Sequence, residues 1–154
     1  MPKITTFLTY NDQAEQAAQL YVGLFPDSAI TRVTRYPVEG PMPAGTAMTV
    51  EFTLAGQAYV ALNGGPHFRF AEGISLSVAC QDQAEIDRLW AALTADGGQP
   101  GNCGWLKDRF GVSWQIMPAD MGQLMRGNSP EQSRRRMQAM MQMHKIDIAA
   151  LEQA

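Results

Sequence analysis

Cysteine and histidine are nearly missing from this chain. Cys80 and Cys103 are its two cysteines, too few for a framework of bridges, and Cys80 falls in an apolar, strand-like run where a reduced, buried thiol is expected. A reducing compartment follows, most simply the cytoplasm. His67 and His144 are its two histidines, which leaves few imidazoles for a metal centre or an acid/base pair. Charge is sparse as well: 18% of residues are charged and the formal net charge is −3. Phosphate binding needs a clustered basic surface, so no nucleic-acid partner is expected. The single basic run, Arg134, Arg135 and Arg136, spreads around a helix and reads as a solvated face, with a phosphate or acidic-ligand contact as the alternative. An apolar run of membrane-spanning length is absent, as is a charged n-region followed by an apolar h-region, so neither export nor membrane insertion is expected. What is present is a globular composition, 45% apolar in 154 residues, enough for one compact domain or for two similar halves.

The chain repeats itself. A strand is expected from Ile4 to Tyr10, then a helix from about Asp12, where Asp12 and Glu15 have the spacing of a capping box. Ala14, Ala17, Ala18, Tyr21, Leu24 and Phe25 recur at helical spacing, and Pro26 ends the run. Strands follow over Ile30 to Tyr36, Met48 to Leu54 and Ala58 to Leu62, the last two joined by a turn at Ala55 and Gly56. This half reads βαβββ. The second half restarts with Ile74 to Cys80, repeats the capping pattern in Asp82 and Glu85, and carries a helical stripe of Ile86, Leu89, Trp90 and Leu93 stopped by Gly97 and Gly98. Strands over Cys103 to Leu106 and Val112 to Met117 flank a turn at Asp108 to Gly111. The strand due before Cys103 has little room beside Pro100, Gly101 and Asn102.

Beyond Pro118 the pattern is helical. Ser129 caps, Pro130 takes the first helical position, and Met137, Met140, Met141 and Ile148 form an apolar stripe that must dock on its own subunit or on a partner. The expected fold class is therefore α+β: a first βαβββ module over 1–70, a shortened second one over 71–118, and a C-terminal helical extension over 119–154.

Four stretches carry a resemblance: "ITTFLTYNDQAEQAAQLYVGLFPDS", "FTLAGQAYVALNGGPHFRF", "CGWLKDRFGVSWQIMP" and "MMQMHKIDIAALEQA". Together they resemble the PhnB-like family, which bears the old label 3-demethylubiquinone-9 3-methyltransferase. That family is similar in fold to the glyoxalase, bleomycin-resistance and dioxygenase proteins, the vicinal oxygen chelate superfamily. The resemblance implies paired βαβββ modules whose curved sheets enclose a cavity, commonly in a dimer.

In the metal-dependent enzymes of that superfamily, His and Glu from the first and last strands of each module bind the ion. The corresponding positions here are Thr5 or Thr6, then Val60, Ala61 or Asn63, then Ser75; the family pattern of Asp, Gly and Glu falls on Asp108, Gly111 and Gln115. Hydroxyls and amides are weak ligands for zinc, nickel or iron, so no metal is expected. A methyltransferase using S-adenosylmethionine needs a glycine-rich turn leading into a capped helix, and "NGGP" at 63–66 leads instead into His67 and Phe68, so no cofactor is expected either. Cys103, flanked by glycine in "NCGW", is either a pocket-lining thiol or a nucleophile without a histidine beside it. Strand alternation gathers Phe7, Tyr59, Asn63, Ser75, Cys103, Trp105 and Gln115 around the expected cavity, some of them as core filling.

The reading favoured on these residues is a metal-free protein binding a small organic molecule in a homodimeric cavity. The alternative is an enzyme on the same fold, a metal-dependent lyase or isomerase, a dioxygenase-like catalyst, or the methyltransferase of the old label.

Overall fold

The computed structural model describes residues 2–38 and 40–154, which form two compact units, 1–70 and 71–154.

The first unit runs β1 (Thr6–Tyr10), α1 (Ala14–Val22), β2 (Ala29–Arg35), β3 (Ala47–Leu54) and β4 (Gln57–Asn63). Its sheet has the order β1-β4-β3-β2, with β1 and β4 parallel and the other pairs antiparallel. Alternation sorts the strand residues: Leu8, Tyr10, Val50, Phe52, Leu54 and Ala61 are buried on the face that meets α1. The helix meets them with Ala14, Ala17, Ala18 and Tyr21, all fully buried. The Tyr21 and Phe52 rings lie 6.4 Å apart, and the Tyr10 hydroxyl donates to that of Tyr21 at 3.2 Å. Each large side chain so buried contributes about 1.5–3 kcal/mol. Between β3 and β4, Ala55 and Gly56 both take positive φ, 48° and 82°, as the tight hairpin turn expected there requires.

The start of α1 differs from expectation. Its cap position is Gln13, which makes no side-chain capping bond. The orphan N–H of Ala14 instead donates to Asn63 Oδ1 at 2.8 Å, so the residue that satisfies the first turn comes from the end of β4. The helix also ends at Val22, short of Pro26, because Leu24 tightens the last turn by bonding the carbonyl of Tyr21 at 3.0 Å.

The second unit repeats the topology: β5 (Leu76–Cys80), α2 (Gln83–Thr94), β6 (Gln99–Pro100), β7 (Trp105–Lys107) and β8 (Ser113–Pro118), in the order β5-β8-β7-β6. Here the capping expectation holds, since Asp82 Oδ1 accepts from Glu85 N at 2.9 Å. The cramped strand before Cys103 is the two-residue β6.

Three helices follow: α3 (Met121–Arg126), α4 (Pro130–Met141) and α5 (Ile148–Gln153). The sequence pattern passed over α3, a six-residue helix containing Gly122. Ser129 caps α4, accepting from Gln132 N at 3.1 Å, and Pro130 opens the helix. The expected methionine stripe divides: Met140 packs with Met121, Met125 and Met143 against a core of Leu124, Ile146 and Leu151, while Met137 and Met141 remain exposed. The tail docks on its own unit. Gln83, at the start of α2, grips it from both amide atoms, donating to Ile146 O at 2.9 Å and accepting from Ile148 N at 2.8 Å. Cys103 N and Gly104 N donate to the carbonyls of Met143 and His144 at 2.9 and 2.8 Å.

Arg134 and Arg135 are exposed, but Arg136 is not part of a solvated face. Its buried guanidinium donates to the carbonyls of Leu124 and Glu152, near the C-terminal ends of α3 and α5, where helix carbonyls lack partners and the helix dipole favours a cation.

Cys80 is 1% exposed; burial first, then the charge of Glu85, pushes its thiol up to about 12. It stays a neutral thiol at physiological pH. A thiol-reactive dye should therefore take up one equivalent on the native protein, at the half-buried Cys103, and a second only after unfolding. Rapid uptake of two equivalents would show that Cys80 is not sealed.

Candidate functional site

The face of the first sheet turned away from α1 carries a hollow of about 470 Å³. Its floor is a cross-strand row in which Phe7 pairs with Val60 and Val60 with Glu51. Thr5, Thr49, Thr53 and Ala58 flank that row. Thr31 enters at a bulge between Ile30 and Arg32 and donates to the Glu51 carbonyl at 3.1 Å. The hydroxyls of Thr5, Thr49 and Thr53 face the hollow without a hydrogen bond to the described residues. Among the described residues, Glu51 is the one charged side chain lining it; the cation it pairs with, Arg32 on the edge strand β2, is 3.7 Å away with a side chain 72% exposed.

Of the residues singled out from sequence, Phe7 lies in this hollow. Tyr59 only borders it: the ring stacks on Phe52 at 5.6 Å, which puts it on the α1 side, and burial raises its hydroxyl above the ordinary tyrosine range. Asn63 does not reach it. That side chain is 1% exposed and spends both amide atoms behind the sheet, accepting from Ala14 N and donating to Ala47 O at 2.9 Å. The reason is parity: positions 59, 61 and 63 share a face, Ala61 is buried on the helix side, and the open face belongs to 58, 60 and 62.

Ser75, Trp105 and Gln115 lie together on one face of the second sheet. Gln115 Nε2 donates to Ser75 Oγ at 2.9 Å, and Trp105 is its partner across β7 and β8. Trp105 also borders a recess of about 200 Å³ with Gln99, Lys107 and Glu72, the last two joined as an ion pair. Cys103 lies outside the strands, in a bend at φ 58°, where its N–H holds the tail. The residues that sequence reasoning missed are Glu51, Thr49 and Thr53. Their signal was present in the alternation of "TVEFT", whose polar members share a face.

The metal positions of the superfamily do not fit an ion here. Gln115 and Ser75 satisfy each other, Asn63 is consumed behind the first sheet, and among the described residues no three His, Cys, Asp or Glu side chains are grouped to hold a metal ion. The "NGGP" turn does not fit a nucleotide-like cofactor. Gly64 N and Gly65 N are already bonded to the carbonyls of Tyr10 and Asn11 at 2.8 and 3.1 Å, and no helix follows. Gly64 serves packing instead: a Cβ there would come within 2.8 Å of the Phe68 ring. Among the described residues, no helix is long and apolar enough to cross a membrane.

Two βαβββ units with the same strand order, one carrying an apolar hollow edged by threonines, define an α+β protein of the paired-module class. The chain belongs to the family described as 3-demethylubiquinone-9 3-methyltransferase, which matches residues 2–117. It is 36% identical, over 77% of its length and 100% of the other chain, to a putative 3-demethylubiquinone-9 3-methyltransferase, PhnB protein, from Bacillus cereus, with a TM-score of 0.69. A protein from Pseudomonas aeruginosa shares the fold at 22% identity, covering 77% of this chain and 98% of that one with a TM-score of 0.61. A glyoxalase/bleomycin resistance protein from Albidiferax ferrireducens is 19% identical over 76% of this chain and 98% of that one, with a TM-score of 0.48. No curated protein matches the chain. Helices α3 to α5 lie beyond the residues that the family matches.

Proposed function

We propose that this PhnB-like chain is a cytoplasmic binding protein that holds a small organic molecule on the open face of its first sheet, within a homodimer. The observation that carries the reading is the hollow itself. Its volume of about 470 Å³ lies in the usual range for small-molecule sites, and a mainly apolar lining with a few polar groups is the usual composition of such sites. The dimer is supported by large apolar side chains left in solvent, among them Phe7, Phe68 and Ile74, which a second copy would cover.

The test is titration with an uncharged apolar fluorescent probe, N-phenyl-1-naphthylamine, on the native protein and on Phe7→Glu. Phe7 is 54% exposed, so the substitution should leave the melting temperature nearly unchanged while weakening the probe about tenfold. Equal binding by both proteins would remove the hollow from consideration. Light scattering at micromolar concentration should give twice the chain mass, and a monomer mass would remove the dimer.

A further inference from the structure

We propose that the molecule held in this hollow is a small amine: an apolar body bearing a positively charged nitrogen that meets the Glu51 carboxylate. The proposal rests on the binding reading above and names the chemistry of its ligand.

The charge on the floor has one sign. Phe7 and Val60 supply apolar surface, and next to Val60 across the β3–β4 ladder stands Glu51, its side chain 29% exposed. A carboxylate set in an apolar recess is poorly hydrated, so a cation placed against it is held more strongly than the same cation at an open surface. The protein supplies only a loose partner. Arg32 approaches no closer than 3.7 Å, beyond hydrogen-bond distance, and stands largely in solvent on the edge strand. An exposed pair of this kind contributes little, so a ligand cation displaces it at small cost. Arg32 itself does not line the hollow, which disfavours an anionic ligand.

The threonines give the second half of the argument. Beside Glu51, the hydroxyls of Thr49 and Thr53 have no hydrogen bond to the described residues and can accept N–H donors. An ammonium group carries up to three such donors, which suits the carboxylate together with one of the hydroxyls that stand two residues to either side of it along β3. A quaternary nitrogen has none. The ligand class is therefore a primary or secondary amine on an aliphatic or aromatic body.

The test uses three probes of nearly equal shape, 2-phenylethylamine, 2-phenylethanol and 3-phenylpropanoate, titrated calorimetrically into the full chain at pH 7 and low salt. The amine should bind at least tenfold tighter than the alcohol and the acid, and added salt should shrink that margin. Glu51→Gln should bring the amine down to the affinity of the alcohol and leave the alcohol unchanged. Arg32→Ala, at an exposed position, should tighten the amine about threefold by removing its competitor, which keeps the proposal testable if Glu51→Gln folds poorly. If the alcohol binds and the amine binds no better, or the acid binds tightest, the amine proposal is overturned and the binding reading stands. If none of the three binds, both fall.

Discussion

Asp108→Ala should destabilise the protein by about 4 kcal/mol, the sum that three hydrogen bonds to a buried charged acceptor imply after allowance for their non-additivity. The carboxylate is 3% exposed. Its Oδ1 accepts from Phe110 N and Val112 N at 2.9 and 3.0 Å, and its Oδ2 from Trp114 Nε1 at 2.9 Å. The turn it organises also closes through Gly111 N on the Asp108 carbonyl at 2.9 Å, with Gly111 at φ 92°, a conformation natural to glycine. Alanine would remove the acceptor shared by two backbone N–H groups and the indole N–H of the buried Trp114. For a chain of this length the loss corresponds to a drop of about 8–16 °C in melting temperature. Asp108→Asn should recover only part of it, since one amide oxygen cannot replace two carboxylate oxygens and the NH2 group would face a donor. Urea unfolding checks the size, and the near-ultraviolet signal of Trp114 checks the site; a cost below about 1 kcal/mol would show that the strands hold the turn unaided.

Asn63→Ala should cost about 3 kcal/mol. It removes a long-range helix cap, commonly worth about 1 kcal/mol, and strands the Ala47 carbonyl in the core, where an unpaired polar group costs about 1–3 kcal/mol. Asn63→Asp keeps the acceptor for Ala14 N but sets a buried carboxylate oxygen against the Ala47 carbonyl, so at neutral pH it should cost at least as much as alanine. Hydrogen exchange separates this from a general loosening: in the alanine variant the first turn of α1 should exchange early while α2 keeps its protection. Equal acceleration of both helices would contradict the assignment.

The repeat was legible because each half presents the same two periods, alternation for strands and 3–4 spacing for the helix, and the topology followed from them. Caps were legible only where they are local. Asp82 and Ser129 sit beside the amides they satisfy, whereas the amide of Ala14 is satisfied by a residue 49 positions away, and Asp12 with Glu15 offered a plausible local substitute. Arg136 was misread for a similar reason: its partners, Leu124 and Glu152, are the ends of helices too short to announce themselves. In the candidate site, Phe7 was visible from the alternation of β1. Tyr59 and Asn63 were assigned to the wrong face of β4, because its polar residues, Gln57 and Asn63, share the parity of Tyr59 and mark that set as the open one, although Asn63 is buried. The paired strand β3 marks the open face correctly, through Thr49, Glu51 and Thr53.

The two modules thus solve the same problem, the first turn of their helix, at very different reach, and this sets an order in time. The turn at Asp82 can close on Glu85 as soon as those few residues meet, within the nanoseconds to microseconds of local helix formation. The turn at Ala14 has to wait until β2, β3 and β4 have been laid down and Asn63 arrives, and contacts so far apart along the chain form slowly because the entropy of closing the loop comes first. During refolding, α2 can become a persistent helix while α1 still frays at its start. Of the two helix starts, the one behind the sheet that carries the hollow is then the later to settle.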